Sequence, residues 1–417
     1  MTTFQEPARE IPVAHSADVV VAGGGPAGIA AAIAAAREGA DTLLVEKAAV
    51  LGGMATCGLM TSFNGFRNER PPDGLQSVKG IAQEIVVELA ILHGASGRTA
   101  HGDFTAKLDA GEIPYAVGFD PEILKYVLFR MCRDAGVRLL LHSYVCGSVV
   151  DGNAIRGIIV ENKSGRQGIA GKIIIDATGD GDVAASAGVP FFQPKKSGEH
   201  MMGTTLMYRV AGVRPEDFPG GKYVGVVVGN TMTGWGPGIA ECSGTDAREL
   251  TDAEVQARQR IFEVVDKLHR NPGYEDCYLI QTAEWLGVRE TRHFRGEYTI
   301  TEADALEGRR FDDVIAISSN PVPGYYGKRF FFEHEGFHVP WRSLVPLEIE
   351  NLVLAGRCFS AEQVPFQSAR SMAPLMAISQ AAGVAAALCV KRRETPRRLN
   401  VPILQKHLLD QGAELQK

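Results

Sequence analysis

Residues Asp18 to Lys47 read DVVVAGGGPAGIAAAIAAAREGADTLLVEK, and no other stretch of the chain restricts its fold so tightly. Val19 to Ala22 form a short apolar run of the kind that lies inside a parallel sheet. Gly23, Gly25 and Gly28 then supply G-x-G-x-x-G where strand meets helix. The first glycine permits a tight turn, the second lets backbone approach a pyrophosphate, and the third lets helix and strand pack closely. Pro26 stands at the helix start, where its missing N–H does no harm, and Ala27 begins an alanine-built helix to about Glu38. Gly39 suits the residue just past its end. A second buried strand, Thr42 to Val45, delivers Glu46, a carboxylate placed to accept hydrogen bonds from an adenosine ribose. A lone glycine motif is often an ordinary turn. Here strand, motif, helix, strand and acid are in register, so this stretch is expected to bind a dinucleotide.

At 417 residues the chain is long enough for a large core and for two intimately joined domains. Its net charge of −6 leaves no basic footprint for nucleic acid. The seven cysteines are scattered without a C-x-x-C, which argues against an iron–sulfur cluster, structural zinc or a disulfide framework. Reduced thiols in a cytoplasm are expected. The first 17 residues carry Glu6, Arg9 and Glu10 and no apolar core, so no signal peptide is read there. Met372 to Val390 is apolar enough to raise a membrane span, but Pro374, Ser379 and Gln380 interrupt it and alanine dominates. It is expected to be a buried helix, with no membrane contact.

Along the chain, residues 1–189 are expected to form the first part of a dinucleotide domain. This includes a cap excursion at about 60–120 and a cap helix near Gly80 to His93. Asp120-Pro121-Glu122 opens a helix to about Asp134, which feeds a strand at Val137 to Leu141. Ser148 to Glu161 reads as a hairpin, and Lys172 to Asp176 as a buried strand ending in the small-residue turn Ala177 to Asp182. Residues 190–345 change character and are expected to form an inserted substrate domain with one clear helix, about Asp252 to His269, capped by Thr251 or Asp252. Residues 346–417 return to the dinucleotide domain with the strand Leu352 to Leu354, the turn Ala355-Gly356-Arg357 and the alanine-rich helix.

One such unit serves NAD or FAD. The second glycine turn at Gly52-Gly53 and the closing turn, which sets a positive helix end in the core, favour an extended flavin dinucleotide. The segments GGGPAGIAAAIAAAREGADTLLVEK, LGGMATCGL, IIIDATGDGDVAASAGVPF, GVRETRHFRGEYTITEADALEGRRFDDVIA, VPWRSLVPLEIENLVLAGRCFSA and QSARSMAPLMAISQAAGVAAAL resemble, in order, the FAD-dependent oxidoreductase family. That family is related to fumarate reductase flavoproteins and the glutathione-reductase-like fold. The resemblance implies an α/β Rossmann-type FAD-binding domain with an inserted mixed α+β substrate domain, and non-covalent FAD. It places Gly23, Gly25, Pro26, Ala27 and Gly28 at the pyrophosphate and Glu46 at the ribose. Lys47, Gly52, Gly53 and Met54 fall along the ADP and ribityl part, with Val145 beside the adenine. Thr178, Gly179 and Asp180 line the cleft, and Gly356 and Arg357 mark the flavin end. No second glycine motif stands in strand–turn–helix context; Gly234-x-Gly236-x-Gly238 lies in a Trp/Pro loop, so a separate NADPH domain is not expected. Aromatic hydroxylases of the related fold usually carry Gly-Asp at the closing strand, where this chain has Ala355-Gly356-Arg357.

Flavin moves hydride or electrons at N5, so the protein must hold a small-molecule substrate and move a proton. In FFFEHEGFHVPW, read as one strand, Phe332, His334, Gly336 and His338 share a face. The two histidines are then about 13 Å apart at ~3.3 Å per residue, too far for one metal. His338, ahead of His334, is the candidate proton carrier, and Tyr326 in PVPGYYGKR a phenolic one in a lid-like loop. Arg342, Arg357 and Arg370 converge on the flavin segments, where one can grip a substrate carboxylate in bidentate fashion. Arg289-Glu290-Thr291-Arg292 reads as structural, its opposite charges satisfying each other. Cys57 is expected to be an inert buried thiol. A homo-oligomer or an electron-transfer partner stays open, as does a flavin monooxygenase or halogenase activity.

Overall fold

The computed structural model describes residues 3–4, 8–69, 74–194, 202–218, 221–325 and 328–416. Its central sheet is built on β1 (Val13–Ala22), flanked by β2 (Thr42–Val45) on one side and by the long strand Gly165–Asp176 on the other, both parallel to it. Arg138–Leu140 extends the sheet beyond β2. The long strand divides its pairing. Gly165 to Ala170 take the antiparallel strand Ala154–Asn162, which in turn pairs Tyr144–Asp151, while Ile174 to Asp176 take the parallel closing strand Leu352–Leu354. This meander is the predicted hairpin with one strand more.

The register sets the site. Ala22 lies opposite Val45 and Asp176, Val45 opposite Leu140, and Asp176 opposite Leu354, so five parallel strands stop at one level. The backbone ladder runs one step further into the loops: Gly23 donates to Val45, Glu46 to Leu140, Ala177 to Ala22 and Ala355 to Asp176, all at 2.8–2.9 Å. Four turns therefore gather at the carboxyl edge of the sheet, where such folds bind ligands.

Two alanine-rich helices cover one face. In α1 (Pro26–Arg37) Ala27 to Ala35 are all buried, and Gly39 follows with φ +85°, ending the helix as expected. The closing helix Met372–Arg392 packs on it so tightly that a Cβ at Gly383 would sit 2.0 Å from the Ala31 carbonyl. Small residues serve this close approach of backbones. Among the described residues this is the only helix long and apolar enough to cross a membrane, and the fold buries it.

Several expectations are corrected. The helix Ile81–Ile91 is no outlying cap: Ile81, Ala82, Ile85, Val86 and Leu89 join the same apolar cluster as α1 and the closing helix. Val314, Phe337, Trp341 and Leu344 belong to that cluster too, so the core does not divide at 345. A distinct sheet inside 190–345 is four-stranded, Gly225–Val228, Thr231–Ile239, Thr204–Ala211 and Tyr278–Thr282. Its own apolar cluster includes Val210, Met232, Ile261 and Tyr274. The Gly234 to Gly238 stretch is a strand of this sheet rather than a loop. The single helix expected there is two, Ala247–Gln259 and Ile261–Leu268, and Asp246 is the cap, accepting from the amides of Arg248 and Glu249.

Candidate dinucleotide site

The three motif glycines meet three different constraints. Gly23 has φ +106°, and a Cβ there would lie 2.3 Å from the Ala177 carbonyl. A Cβ at Gly28 would lie 1.8 Å from the Gly23 carbonyl. Both positions are thus demanded by the protein's own packing. Gly25 is not: a Cβ there meets no protein atom within 4 Å. The chain keeps a bare backbone beside open space, directly before Pro26 and Ala27 and the first-turn amides of α1, which lack intrahelical acceptors. That is the cradle a diphosphate requires.

A second wall is the loop at Gly52 and Gly53, both at positive φ. Gly52 donates to the Gly24 carbonyl at 2.8 Å, and a Cβ on Gly53 would be 3.0 Å from the Gly25 Cα. Met54 follows, half-buried. Glu46 is buried, and its carboxylate accepts the amides of Gly24 at 2.6 Å and Ala48 at 2.7 Å. Each oxygen keeps a further lone pair for a ribose hydroxyl. The Glu46 carbonyl accepts the Ser143 amide, two residues before Val145. Lys47 is exposed and holds its ammonium 4.6 Å from the Trp285 ring centroid.

The third turn is ordered by Asp176, which sequence reasoning took only as the end of a strand. Its carboxyl accepts the Thr178 amide and hydroxyl at 3.1 and 2.7 Å and the Ala184 amide at 2.8 Å. Burial nevertheless pushes its pKa up to about 6, the hydrogen bonds offsetting only part of that cost. The aspartate with threonine two residues on was the signal available, an Asx-type turn. Gly179 and Asp180 continue the turn. Asp180 binds the guanidinium of Arg357 at 2.9 Å, and Gly356, at φ +85°, lies against Ala27. The closing turn therefore touches the start of α1, beside the turns at Gly23, Gly52 and Ala177. A surface cavity of about 520 Å³, bordered by Arg37 and Asp134, sits at the other end of α1. That is roughly 16 Å away at 1.5 Å per residue.

The candidate catalytic side chains fare differently. Phe330 to Trp341 is not one strand: Phe330 ends the strand Lys328–Phe330, Phe337–Pro340 is a separate one, and Gly336, at φ +111°, turns the chain just before it. His334 consequently lies off the shared face, its Nε2 on the Ala305 carbonyl at 3.1 Å and its Nδ1 accepting the Gly336 amide. His338 is buried with Nδ1 accepting the Phe311 amide at 3.0 Å, which puts its proton on Nε2. Burial, then the charge of Arg310, lower its pKa to about 4, so it is neutral at neutral pH. The fork of Arg342 is already filled by Asp313, at 2.9 and 3.2 Å. Tyr326 lies outside the described residues. Cys57 is buried and its pKa pushed up to about 11, first by desolvation and then by Glu284, as befits an inert thiol.

The residues read as a self-satisfied charge cluster do not pair with one another. Arg289 donates to Gly203 and Thr205, Arg292 to Asp180 and Asp182, and Glu290 accepts from Met202 and Gln363. Their partners lie 73 to 112 residues away, beyond the reach of local reading.

A bare-backbone cradle at a helix start, a ribose acid on the next strand and a returning turn against the same helix define a dinucleotide-binding oxidoreductase. The chain belongs to the FAD dependent oxidoreductase family, whose profile matches residues 18–228 and 221–408. FAD is its cofactor, and the open side of Gly25, the lone pairs of Glu46 and the Gly52-Gly53 wall fit that group. Among its relatives is digeranylgeranylglycerophospholipid reductase 2 of Methanopyrus kandleri, 28% identical over 265 residues, 60% of this chain. Reductase 1 of the same organism is 28% identical over 228 residues, 49% of this chain. The matches span 61% and 52% of those relatives' lengths. Among solved structures, a geranylgeranyl bacteriochlorophyll reductase-like protein of Thermoplasma acidophilum shares the fold with a TM-score of 0.53 at 14% identity. That match covers 96% of this chain and 84% of that one. p-Nitrophenol 4-monooxygenase of Pseudomonas putida does so with a TM-score of 0.52 at 12% identity, covering 95% and 85%.

Proposed function

We propose that this oxidoreductase is a dehydrogenase or reductase that exchanges hydride between flavin N5 and a small polar organic substrate. When bound, FAD supplies a two-electron acceptor and donor. The observation that carries the reading is the character of the wall between the Gly52-Gly53 loop and the closing turn. Glu284 and Trp285 donate their amides to the Cys57 carbonyl, and Arg357 donates to the Val288 carbonyl. The segment 284–290 thus bridges the two ends of the cleft, and it carries Arg289 and Glu290. A charged wall suits a polar molecule better than the long apolar chain implied by the relatives' name. Gly25 and the first-turn amides of α1 hold the diphosphate in a turn shaped by Gly23 and Gly28, Glu46 orients the ribose, and the Asp176-ordered turn fixes Arg357.

The closing turn, with arginine where related aromatic hydroxylases usually carry aspartate, supports direct dehydrogenation over oxygen activation. An anaerobic spectrum of the yellow protein, taken with hydroxy acids, dicarboxylates, amines, a digeranylgeranyl lipid and NAD(P)H in turn, tests the reading. Bleaching or reoxidation by a small polar compound is expected. Turnover of the lipid alone, NAD(P)H-dependent oxygen uptake, or activity only within a complex carrying an electron relay would each overturn it.

A further inference from the structure

Arg370 ends the short helix Gln363–Ala369 and stands next to Ser371, the N-cap of the closing helix. Its Nε is sealed from solvent and has no hydrogen-bond partner, and its Nη2 reaches only the Met202 sulfur at 3.5 Å. An Nε in such a place has lost water without gaining an acceptor, which is costly. Its neighbours make the imbalance worse. Arg289 and Arg357 both act on it unfavourably and Glu290 favourably, and burial with these charges holds its pKa below the usual arginine range. Arg357 is neutralised by Asp180 at 2.9 Å. Arg289 is not: its acceptors are the Gly203 carbonyl and the Thr205 hydroxyl, both uncharged.

That leaves Glu290 as the counter-charge. It is fully buried and already takes the Met202 amide at 2.6 Å and the Gln363 side-chain amide at 2.8 Å. Burial pushes its carboxyl up, but the nearby His293 and these hydrogen bonds more than compensate, so it remains ionised. Among the described residues, Arg289 and Arg370 against Glu290 leave one positive charge in excess. Arg289 and Arg370 are themselves only half-buried, so a small molecule has access.

We propose that Arg370 and Arg289 form an oxyanion subsite that holds a carboxylate or phosphoryl group of the substrate, with Glu290 fixing its floor. The proposal rests on the hydride-transfer reading above and names the substrate class for it. Three facts place the subsite in the cleft. Gly287 lies 3.8 Å, measured from its would-be Cβ, from the Met54 methyl of the glycine loop. Val288 is bonded to Arg357 of the closing turn. Arg370 itself leads into the helix that closes the FAD domain. A planar fork with unused donors matches a carboxylate or phosphate edge as a lysine does not. An anion there supplies the missing charge and the missing acceptors together.

The test uses the FAD-loaded protein and calorimetric titration with fumarate, succinate and inorganic phosphate, read alongside the flavin absorption band. Saturable one-to-one binding of at least one anion is expected. Arg370→Lys, which keeps the charge and loses the fork, is expected to weaken it by about tenfold or more. Arg289→Gln is a second variant, should the first misfold. A preference for the dicarboxylates assigns a carboxylic acid substrate, and a preference for phosphate a phosphorylated one; both uphold the subsite. No saturable binding by a protein that shows its flavin band overturns the inference and leaves FAD binding standing. Binding unaltered in both folded variants also overturns it. Protein that takes up no FAD fails the underlying reading instead.

Discussion

Gly25→Ala separates what the fold needs from what the cofactor needs. The residue has φ −73° and ψ −178°, an ordinary conformation for alanine, and the added methyl meets no protein atom within 4 Å. The cost to the apoprotein is the weaker capping preference of alanine, under about 1 kcal/mol. The lower entropy of the unfolded chain offsets it by roughly 0.4–1 kcal/mol. For a chain of 417 residues the unfolding entropy is about 0.9 kcal/mol per degree, so the apoprotein Tm is expected to move by no more than about 1 °C. FAD feels the methyl directly. Displacing the diphosphate from one charge-assisted backbone hydrogen bond costs about 1.5–3 kcal/mol, a loss of about 10- to 150-fold in affinity. Gly28→Ala is the control, because its methyl would be 1.8 Å from the Gly23 carbonyl and must push α1 off the sheet. Equilibrium dialysis of FAD with each variant, paired with apoprotein melting curves, reads both quantities. An FAD affinity for Gly25→Ala within about twofold of wild type would refute the assignment of that open space to the diphosphate.

Three further outcomes are expected. Gly383→Ala forces a methyl to within 2.0 Å of the Ala31 carbonyl. It should destabilise the fold by about 1–3 kcal/mol with the helices still formed by circular dichroism; an unchanged Tm would contradict the backbone-contact packing. Asp176→Asn sets an amide donor among the Thr178 and Ala184 amides. A Tm drop of roughly 1–3 °C follows from one unsatisfied buried group of about 1–3 kcal/mol, and a rise would show that relief of the buried charge dominates. His338, with a folded pKa of about 4 against about 6.5 unfolded, is protonated first in the unfolded chain. Stability is therefore whole above pH 6.5 and falls as pH drops from 6.5 towards 4, by up to about 3 kcal/mol. Comparing denaturant unfolding of wild type and His338→Asn at pH 7.5 and 4.5 should show a shallower loss in the variant, and equal losses would remove the effect from this residue.

What was legible in the sequence was what short-range physics fixes. The apolar runs at Val19 to Ala22 and Thr42 to Val45, the helix between them and Gly39 as its stop all lie within 30 residues. Backbone geometry demands glycine at Gly23 and Gly39, both at positive φ. Asp120 caps its helix as expected because the cap and the amides it serves, Glu122 and Ile123, are three residues apart at most. The fold-defining unit and its dinucleotide cradle therefore followed from local pattern. Reading Phe330 to Trp341 as one strand failed at Gly336, which has φ +111° and where a Cβ would lie 2.6 Å from the Ser318 carbonyl, a proximity no periodicity reveals. The charged groups were harder still. Arg342 turned out to belong to Asp313, 29 residues back, and Arg357 to Asp180, 177 residues back. Glu290 was claimed by Met202 and Gln363 rather than by the arginines beside it. A side-chain charge is neutralised by whatever the fold brings within about 4 Å, which sequence distance does not constrain. By itself the sequence determined the strand–glycine turn–helix unit that fits a dinucleotide. Only the tertiary structure decided which guanidinium in the cleft was left without an acceptor.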